Sequence, residues 1–266
     1  MGVTLSEIFG AVRPLIGMVH LPPLPGSPRW AGSMGPVLDR AVTDAAALEA
    51  SGFDGVLVEN FQDVPFYPDQ VPPETVAAMA VCVREVVRAV KLPVGVNVLR
   101  NDAAAAMAIA CVGGARFVRV NVHTGVMAAD QGLLTGRPHE TLRLRRALGA
   151  GVAIIADVWV KHAAPFPGCS LEQAAEDTYL RGLADALIVT GAGTGKTTDP
   201  ALVDVVKAAV PEAPVLIGSG ITPGTISEAL AVADGAIVGS SVCLGGIAGA
   251  GIDPERARKL IEAIRR

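Results

Sequence analysis

Charged residues of the kinds that perform acid–base chemistry stand at the ends of apolar segments in this chain. Asp157 lies within the segment 152–160 (VAIIADVWV), and Lys161 follows that segment directly. Glu59 lies near the end of the segment 53–60 (FDGVLVEN). A charged group inside an apolar segment is costly unless it is paired or used. Carboxylates and a lysine in a dry pocket have displaced pKa values, as general acids, general bases and Schiff-base lysines require, so we expect these three residues to be catalytic.

Other polar residues at similar positions are candidates for binding a substrate. His20 and Asn97 come late in two further apolar segments, while Arg119, Asn121 and His123 alternate along another. Alternation by two residues places the side chains of that triplet on one face of a strand. The residues expected to contact a substrate are His20, Asn60, Asn97, Arg119, Asn121, His123 and Lys196.

Structural roles remain open for several of these residues. An asparagine inside a strand often serves as a hydrogen-bonded filler. Arg119 and Asp157 stand on neighbouring predicted strands, where they could form a buried ion pair. Asp157 and Lys161 share one face of their strand but are separated by up to about 13 Å of rise, so we expect no direct pairing between them.

Glycine and serine residues end the last two apolar segments and suit an anion such as phosphate. Glycine lets the backbone approach a ligand closely, and N–H groups and hydroxyls can hold the anion. The alternative is that small residues merely allow tight turns. The predicted phosphate-binding residues are Gly191, Gly193, Gly218, Ser219, Gly220, Gly239, Ser240 and Ser241.

The stretch 190–199, TGAGTGKTTD, invites comparison with a nucleotide-binding P-loop. That motif begins with glycine five residues before its Gly-Lys-Ser/Thr, and here Thr190 stands in that place. The stretch is instead expected to be a strand-to-helix loop, with Thr198 or Asp199 capping a helix that starts at Pro200. Lys196 then reaches an anionic group or faces solvent, and ATP hydrolysis is not expected.

Metal chemistry is a weaker alternative. His20, Glu59, His123 and Asp157 are suitable ligands for a divalent ion, but the sequence has no close spacing such as His-x-x-x-His among them. We therefore predict no metal site and no required cofactor, with a divalent metal left open.

Eight short apolar segments, each followed by a helical pattern, position these residues. Strands that alternate with helices indicate parallel βαβ units, and eight units indicate a (β/α)8 barrel, predicted here as one domain over residues 1–266. The links that follow the first, second, fourth and fifth strands are long, which favours a ligand site at the C-terminal ends of the strands. The eight segments are 14–21, 53–60, 93–99, 117–122, 152–160, 185–191, 214–220 and 235–241.

Composition excludes several classes of protein. The 266 residues carry a formal net charge of -4, which argues against a nucleic-acid binder. The apolar runs are too short to span a bilayer, and no signal peptide is evident. Four cysteines lack paired spacing, which is typical of reduced thiols in a cytoplasmic protein. We leave a homo-oligomer open.

Five longer motifs resemble the BtpA/SgcQ family. They are GMVHLPPLPGSP, DGVLVENFQDVPF, RVNVHTGVMAADQG, DVWVKHA and TGAGTGKTTD, and they extend over nearly the whole chain. The resemblance implies a TIM barrel of the phosphate-binding kind. The family is named from a cyanobacterial factor for photosystem I biogenesis, and other members are found among sugar-utilisation genes.

Two functions are consistent with the residues and the resemblance. The first is an enzyme that acts on a small phosphorylated metabolite, either a sugar phosphate or a nucleotide-like compound, by isomerase, lyase/aldolase or transferase chemistry. The second is a non-catalytic assembly factor of the photosystem I biogenesis type. Polar residues gathered at the strand ends favour the enzyme, because docking a protein does not need buried carboxylates and a lysine.

Overall fold

A closed parallel barrel organises the chain, as the sequence predicts. The computed structural model describes residues 4–191, 193 and 196–264. Within them, eight parallel strands follow one another around the barrel in chain order, and the last pairs with the first. The strands are β1 Leu15–His20, β2 Gly55–Glu59, β3 Val94–Asn97, β4 Phe117–Val120, β5 Ala153–Asp157, β6 Ala186–Val189, β7 Val215–Ile217 and β8 Ala236–Val238.

Helices surround the barrel and connect successive strands. The predicted start at Pro200 is confirmed, and the side chain of Asp199 accepts the N–H of Ala201 as the cap. The last turn of α6 continues into a π-helix over Asp177–Arg181. The helices are α1 Leu5–Phe9, α2 Gly35–Ser51, α3 Pro73–Ala89, α4 Ala103–Gly113, α5 Pro138–Ala147, α6 Leu171–Glu176, α7 Pro200–Ala209, α8 Ile226–Val232 and α9 Pro254–Ile264.

The lower part of the barrel interior is filled with apolar side chains. Phe117 lies there fully buried, and Gly95 on the neighbouring strand leaves room for its ring, because a Cβ at Gly95 would overlap that ring. The short helix α1 closes the floor, where Phe9 packs edge-on against Phe117 with ring centroids 5.1 Å apart. Because the floor is packed, the barrel interior can admit a ligand only from the opposite end, where the strands terminate.

A small antiparallel sheet, here called the side sheet, was not predicted from the sequence. It consists of Val126–Ala129, Gly132–Thr135 and Ala163–Pro165, with the first segment in the middle. The first two form a hairpin in the loop after β4, and the third lies in the loop after β5. Its own apolar cluster includes Met127 and Leu134. The two long loops are therefore joined rather than independent.

Within the described residues, no helix combines the length and the apolar character that crossing a bilayer would need.

Candidate active site

A wide cavity of about 820 Å³, here called the mouth cavity, opens at the C-terminal ends of the strands. Its apolar wall comes from the loop after β2, through Phe61, Val64 and Phe66, and from Ile247 beyond β8. Its polar residues come from several loops and strands: Arg29, Glu59, Gln62, Arg100, Arg119, Asn121, Asp130, Gln131, Lys161 and His162.

A second space, here called the narrow cavity, lies where the last two barrel strands end. Its volume is about 30 Å³. The predicted phosphate-binding residues that line it are Gly218, Ser219, Gly220, Gly239 and Ser240.

Three residues line both cavities: Glu59, Arg119 and Lys161, here called the junction residues. The barrel positions the first two directly, because Glu59 is the last residue of β2 and Arg119 lies within β4. The predicted convergence of Glu59 and Lys161 on one mouth is therefore found. A ligand that touches all three would extend from the narrow cavity into the mouth cavity.

Asp157 lies beneath this junction and is fully engaged with its neighbours. Its carboxylate accepts two hydrogen bonds from Arg119, Nε to Oδ2 and Nη2 to Oδ1, both at 2.9 Å. Asn121 Nδ2 donates a third, to Oδ2, at 3.1 Å. Asp157 lines neither cavity, so the geometry corresponds to the buried ion pair and makes Asp157 the residue that orients Arg119. Direct contact with a substrate, which a catalytic role would need, is not supported.

The asparagines extend this network. Asn97 Nδ2 donates to Asn121 Oδ1 at 3.0 Å and to the carbonyl of Arg119 at 3.1 Å. Asn121 also lines the mouth cavity, whereas Asn97 is buried behind it. Asn97 therefore acts as a hydrogen-bonded filler, which was the structural alternative for it.

Asn60 has a structural role as well. Its Oδ1 accepts the N–H of Leu99 at 2.7 Å, and its Nδ2 donates to Asp63 at 3.2 Å. Asp63 in turn accepts the N–H of Leu24 at 2.8 Å. The loops after β1, β2 and β3 are thereby joined, and Asn60 is turned away from the mouth cavity.

His20 and Glu59 face each other, with Nε2 and Oε1 3.8 Å apart. The N–H of Gly249 points to His20 Nδ1 at 3.3 Å, so Nδ1 accepts and Nε2 carries the proton toward Glu59. Burial, with Lys161 and Arg119 nearby, lowers the pKa of His20 to about 3, so its ring is neutral. Burial raises the pKa of Glu59 in spite of the nearby cations.

His20 should therefore contribute to acid sensitivity. Between pH 6.5 and about 3 the unfolded chain binds a proton on this residue that the folded chain does not. Its contribution to stability is complete above pH 6.5 and is lost as the pH falls through that window. We expect the stability difference between the wild type and His20→Gln to change by up to about 1.4 kcal/mol per pH unit there.

Urea unfolding of both proteins between pH 7 and pH 4 measures this effect. The raised pKa of Glu59 changes stability with pH in the direction opposite to His20. Because Glu59 is present in both the wild type and the variant, its effect cancels in the difference between their stabilities, and that difference is the diagnostic quantity. A difference that stays constant with pH would show that the pKa of His20 is not lowered.

Lys161 is partly buried at the junction, and its Nζ has no hydrogen bond or ion pair with any other described residue. Burial, and secondly the charge of Arg119, lowers its pKa. Its backbone carbonyl accepts Arg100 Nη2 at 2.6 Å, which fixes the chain after β5. Among the described residues no salt bridge joins Lys161 to Asp157, although the charge of that carboxylate partly offsets the lowering of the Lys161 pKa.

The end of β7 holds the protein's own loop rather than presenting open donors. Ser219 Oγ accepts the N–H of Gly191 at 2.7 Å and lies 3.3 Å from Thr198 Oγ1. The N–H of Gly218 donates to Val189 at 2.9 Å. The Ser219 hydroxyl and the Gly218 N–H are thus already engaged. An anion in the narrow cavity would therefore bind to Lys161 and the end of β8 rather than to these two groups.

Gly220 is where this loop lies closest to the strand end. Its φ is +74°, and a Cβ there would overlap the backbone of Thr197. We expect Gly220→Ala to destabilise the protein by about 1–3 kcal/mol, because the residue is strained and the loop must move. Gly224→Ala is the matched control, since its nearest atom would be 3.8 Å away. Equal unfolding midpoints for the two variants in urea would contradict this packing.

Four further predicted residues lie outside both cavities. Gly191 and Gly193 belong to the loop after β6, where Lys196 is exposed and donates its N–H to Gly193 at 3.0 Å. Ser241 lies beyond the narrow cavity, and its buried Oγ has no partner among the described residues. Residues 192, 194 and 195 of the same predicted loop lie outside the described residues.

The prediction that His123 shares a face with Arg119 and Asn121 is wrong. Strand β4 ends at Val120, and the chain then turns toward the side sheet. His123 Nε2 lies 2.8 Å from the carbonyl of Gly182, against the π-helical turn outside the barrel. The four residues considered as metal ligands are consequently not brought together, and the described residues contain no group of three or more histidine, cysteine or carboxylate side chains suited to a metal ion.

Several cavity residues were not singled out from the sequence. Arg100 is buried and directly follows the third predicted segment, a position that could have signalled it. Asp130 and Gln131 form the hairpin tip of the side sheet, which the sequence did not reveal. His162 has a φ of 60°, a left-handed conformation that is uncommon for a residue other than glycine.

Comparison with known proteins identifies the family. The BtpA family model matches residues 11–266. Photosystem I biogenesis protein BtpA of Synechocystis is 47% identical, covering 98% of this chain and 91% of that protein. Protein PH1209 of Pyrococcus horikoshii is 46% identical, with 95% and 96% covered. The sgc region protein SgcQ of Escherichia coli is 34% identical, with 98% and 97% covered.

Solved structures agree with the fold. A native KDPGal structure superposes with a TM-score of 0.60 at 17% identity, covering 96% of each chain. Phosphoribosyl anthranilate isomerase from Thermus thermophilus gives a TM-score of 0.57 at 14% identity, covering 95% of this chain and 98% of the other. Such low identity shows a shared barrel alone. The sequence matches go further and show that the chain belongs to the BtpA family.

Proposed function

We propose that this chain is an enzyme that acts on a small phosphorylated metabolite at the junction of its two cavities. The observation that carries the proposal is Lys161, a cation that is partly buried, has no partner among the described residues and lines both cavities. Glu59, with its raised pKa, lines the same junction. Together they supply a proton acceptor or nucleophile and a proton donor.

The charges around the junction favour an anionic ligand. Arg100, Arg119 and Lys161 are positive, while Asp157 and Glu59 are the nearby carboxylates that act on Lys161. Asp157 is already paired with Arg119, and burial favours the neutral form of Glu59. An excess of positive charge is thus held in a poorly solvated space, where an opposite charge interacts strongly. A phosphate group provides that charge.

The pair supports proton transfer next to a carbonyl group. In its neutral form Lys161 Nζ takes a proton from the hydroxyl-bearing carbon beside the carbonyl, while protonated Glu59 gives its proton to the carbonyl oxygen, which forms an enediol. The ammonium of Lys161 then gives its proton to the former carbonyl carbon, and the carboxylate of Glu59 takes the proton of the other hydroxyl, which completes an isomerisation and restores both residues. This step uses no metal or organic cofactor, so treatment with EDTA is expected to leave the activity unchanged. A loss that Mg²⁺ restores would support the divalent-ion alternative.

Lyase or aldolase chemistry would use the same lysine as a nucleophile. Its amine adds to the carbonyl carbon and water leaves, which forms a Schiff base that borohydride reduces to a stable secondary amine. Mass spectrometry of the peptide that contains Lys161, after borohydride is added with substrate, distinguishes the two routes. A transferase route also remains within the proposal, because an anion-binding barrel can equally position two substrates.

Similar folds support the choice of a phosphorylated substrate. Two further structural neighbours, thiamine phosphate pyrophosphorylase and N-acetylmannosamine-6-phosphate 2-epimerase, are named for phosphorylated compounds. A crystal of this protein grown with phosphate is expected to hold an anion in the narrow cavity beside Lys161. An anion bound only elsewhere would contradict the proposed phosphate site.

A second candidate function is a non-catalytic biogenesis factor, which the name of the Synechocystis relative favours. Such a factor would use its outer surface, so Lys161→Met should leave partner binding intact. The enzyme proposal predicts instead that Lys161→Met impairs function, and that substitutions of the junction residues have larger effects than substitutions on the outer surface.

We also propose a cytoplasmic location and a homo-oligomeric state. All four cysteines are free thiols, which is typical of a reducing compartment. Val81 on α3 and Val112 on the adjacent α4 are 49% and 71% exposed, and we infer that a second copy packs on these two helices. Cell fractionation and light scattering test these two statements.

A further inference from the structure

The mouth cavity is larger and more apolar than a sugar phosphate alone would need. Its volume of about 820 Å³ falls in the upper part of the range for pockets that enclose drug-sized ligands. Phe61, Val64 and Phe66 line it on one side and Ile247 on the other. Ile247 is 65% exposed and Val64 is 38% exposed, so this apolar surface faces solvent and is available to a ligand.

A bare sugar phosphate is a poor match for this wall. Sugar hydroxyls that face apolar side chains lose their hydrogen bonds to water without replacement, which is unfavourable. A planar ring gains instead, because it covers apolar surface and stacks on an aromatic side chain. The ring of Phe61 already packs on His20 at a centroid distance of 4.3 Å, which leaves Phe66 as the better stacking partner.

The hairpin tip of the side sheet adds a specific polar contact at the rim. Gln131 Nε2 donates to Asp130 Oδ2 at 2.6 Å, so the amide oxygen of Gln131 is oriented as the free acceptor. This Oε1 atom is buried and has no partner among the described residues. A buried acceptor without a donor is costly, and a ligand N–H at the edge of a ring would satisfy it.

We propose that the substrate is a sugar phosphate whose other end is a planar ring with an N–H donor, a nucleotide-like phosphate ester for which the nucleoside monophosphates serve as binding probes. The phosphate lies at Lys161 and the narrow cavity, the ring lies against Phe66, and the N–H donates to Gln131. This inference rests on the proposed function, since it assumes the phosphate position given there.

Binding of three groups of probes to the full chain tests the inference by calorimetry. They are inorganic phosphate with ribose 5-phosphate, the nucleoside 5′-monophosphates, and the corresponding nucleosides. We expect at least one nucleoside monophosphate to bind about tenfold or more tightly than ribose 5-phosphate, because stacking a base on an aromatic ring is worth that factor. Ribose 5-phosphate that binds as tightly as every nucleotide would overturn this inference and leave the proposed function standing. No binding by any phosphate compound would overturn both.

Variants separate the ring from the phosphate. Phe66→Ala and the milder Phe66→Leu are expected to lower the affinity for the nucleoside monophosphate to that for ribose 5-phosphate. The affinity for ribose 5-phosphate itself should stay unchanged. The matched control is Phe166→Ala, since Phe166 is 59% exposed, directly follows the side sheet and does not line the mouth cavity. Gln131→Leu is expected to weaken the nucleotide by about three- to tenfold. A nucleotide advantage that survives in a folded Phe66→Leu protein would overturn the stacking position.

Discussion

Lys161→Met is expected to weaken phosphate binding by about 100-fold, because it removes the one junction cation that has no partner in the described part of the chain. The same change should not destabilise the ligand-free protein. It replaces a partly buried ammonium by an apolar chain of similar length, so the free energy of unfolding should stay the same or rise by up to about 1 kcal/mol. Calorimetric titration with phosphate and urea unfolding measure the two effects.

Lys91→Met is the matched control, because Lys91 is exposed and precedes β3, at the end of the barrel opposite both cavities. It should bind phosphate as the wild type does. Once a turnover assay exists, Lys161→Met should lower kcat as well as binding if the amine takes part in the chemistry, whereas a purely electrostatic role would raise KM alone. A Lys161→Met protein with unchanged phosphate binding would rule out the junction as the anion site.

Breaking the Arg119–Asp157 pair should produce the largest loss of stability. Both side chains are buried and joined by two hydrogen bonds of 2.9 Å. Asp157→Asn leaves the guanidinium charge of Arg119 buried without its counter-charge, which costs about 3–5 kcal/mol. Arg119→Met leaves the carboxylate of Asp157 buried without its counter-charge and should cost a similar amount.

The double variant identifies the cause of the loss. Asp157→Asn combined with Arg119→Met should be more stable than the sum of the two single effects predicts, by about 2–3 kcal/mol, because neither charge remains unpaired. Glu255→Gln is the control for an exposed pair; Lys259 Nζ lies 2.7 Å from Glu255, and the change should cost less than about 1 kcal/mol. Additive losses in urea unfolding would mean that the two buried charges are not coupled.

The barrel itself could be predicted because its signals are local. Each strand is a short apolar segment and each is followed by a helical pattern, so the strand order follows from the chain. The errors occur where the chain leaves the barrel. The two-residue alternation that places Arg119 extends in the sequence as far as His123, but nothing in the sequence marks the end of β4 at Val120. The side sheet pairs Ala129 with Ala163, and such distant pairing of short segments leaves no local pattern.

The candidate site could be predicted in its position more than in its details. Glu59 and Lys161 converge because strand ends meet at one mouth, which topology alone requires. The roles of Asp157 and Ser219 depend on hydrogen-bond partners, and those became clear only when neighbouring strands and loops were placed together. Arg100 and Gln131 were missed because their positions depend on loop conformation, which periodicity does not describe.

The side sheet has a consequence for how members of this family could diversify. Ala129 and Gly132 flank the hairpin tip that carries Gln131, and Ala129 also pairs with Ala163, two residues after Lys161. A change of hairpin length would therefore shift the backbone that carries the lysine as well as the rim. The rim of the mouth cavity and the position of Lys161 would be inherited together, so transplanting the hairpin from a relative should preserve the fold of the site only when the segment 161–165 is transplanted with it.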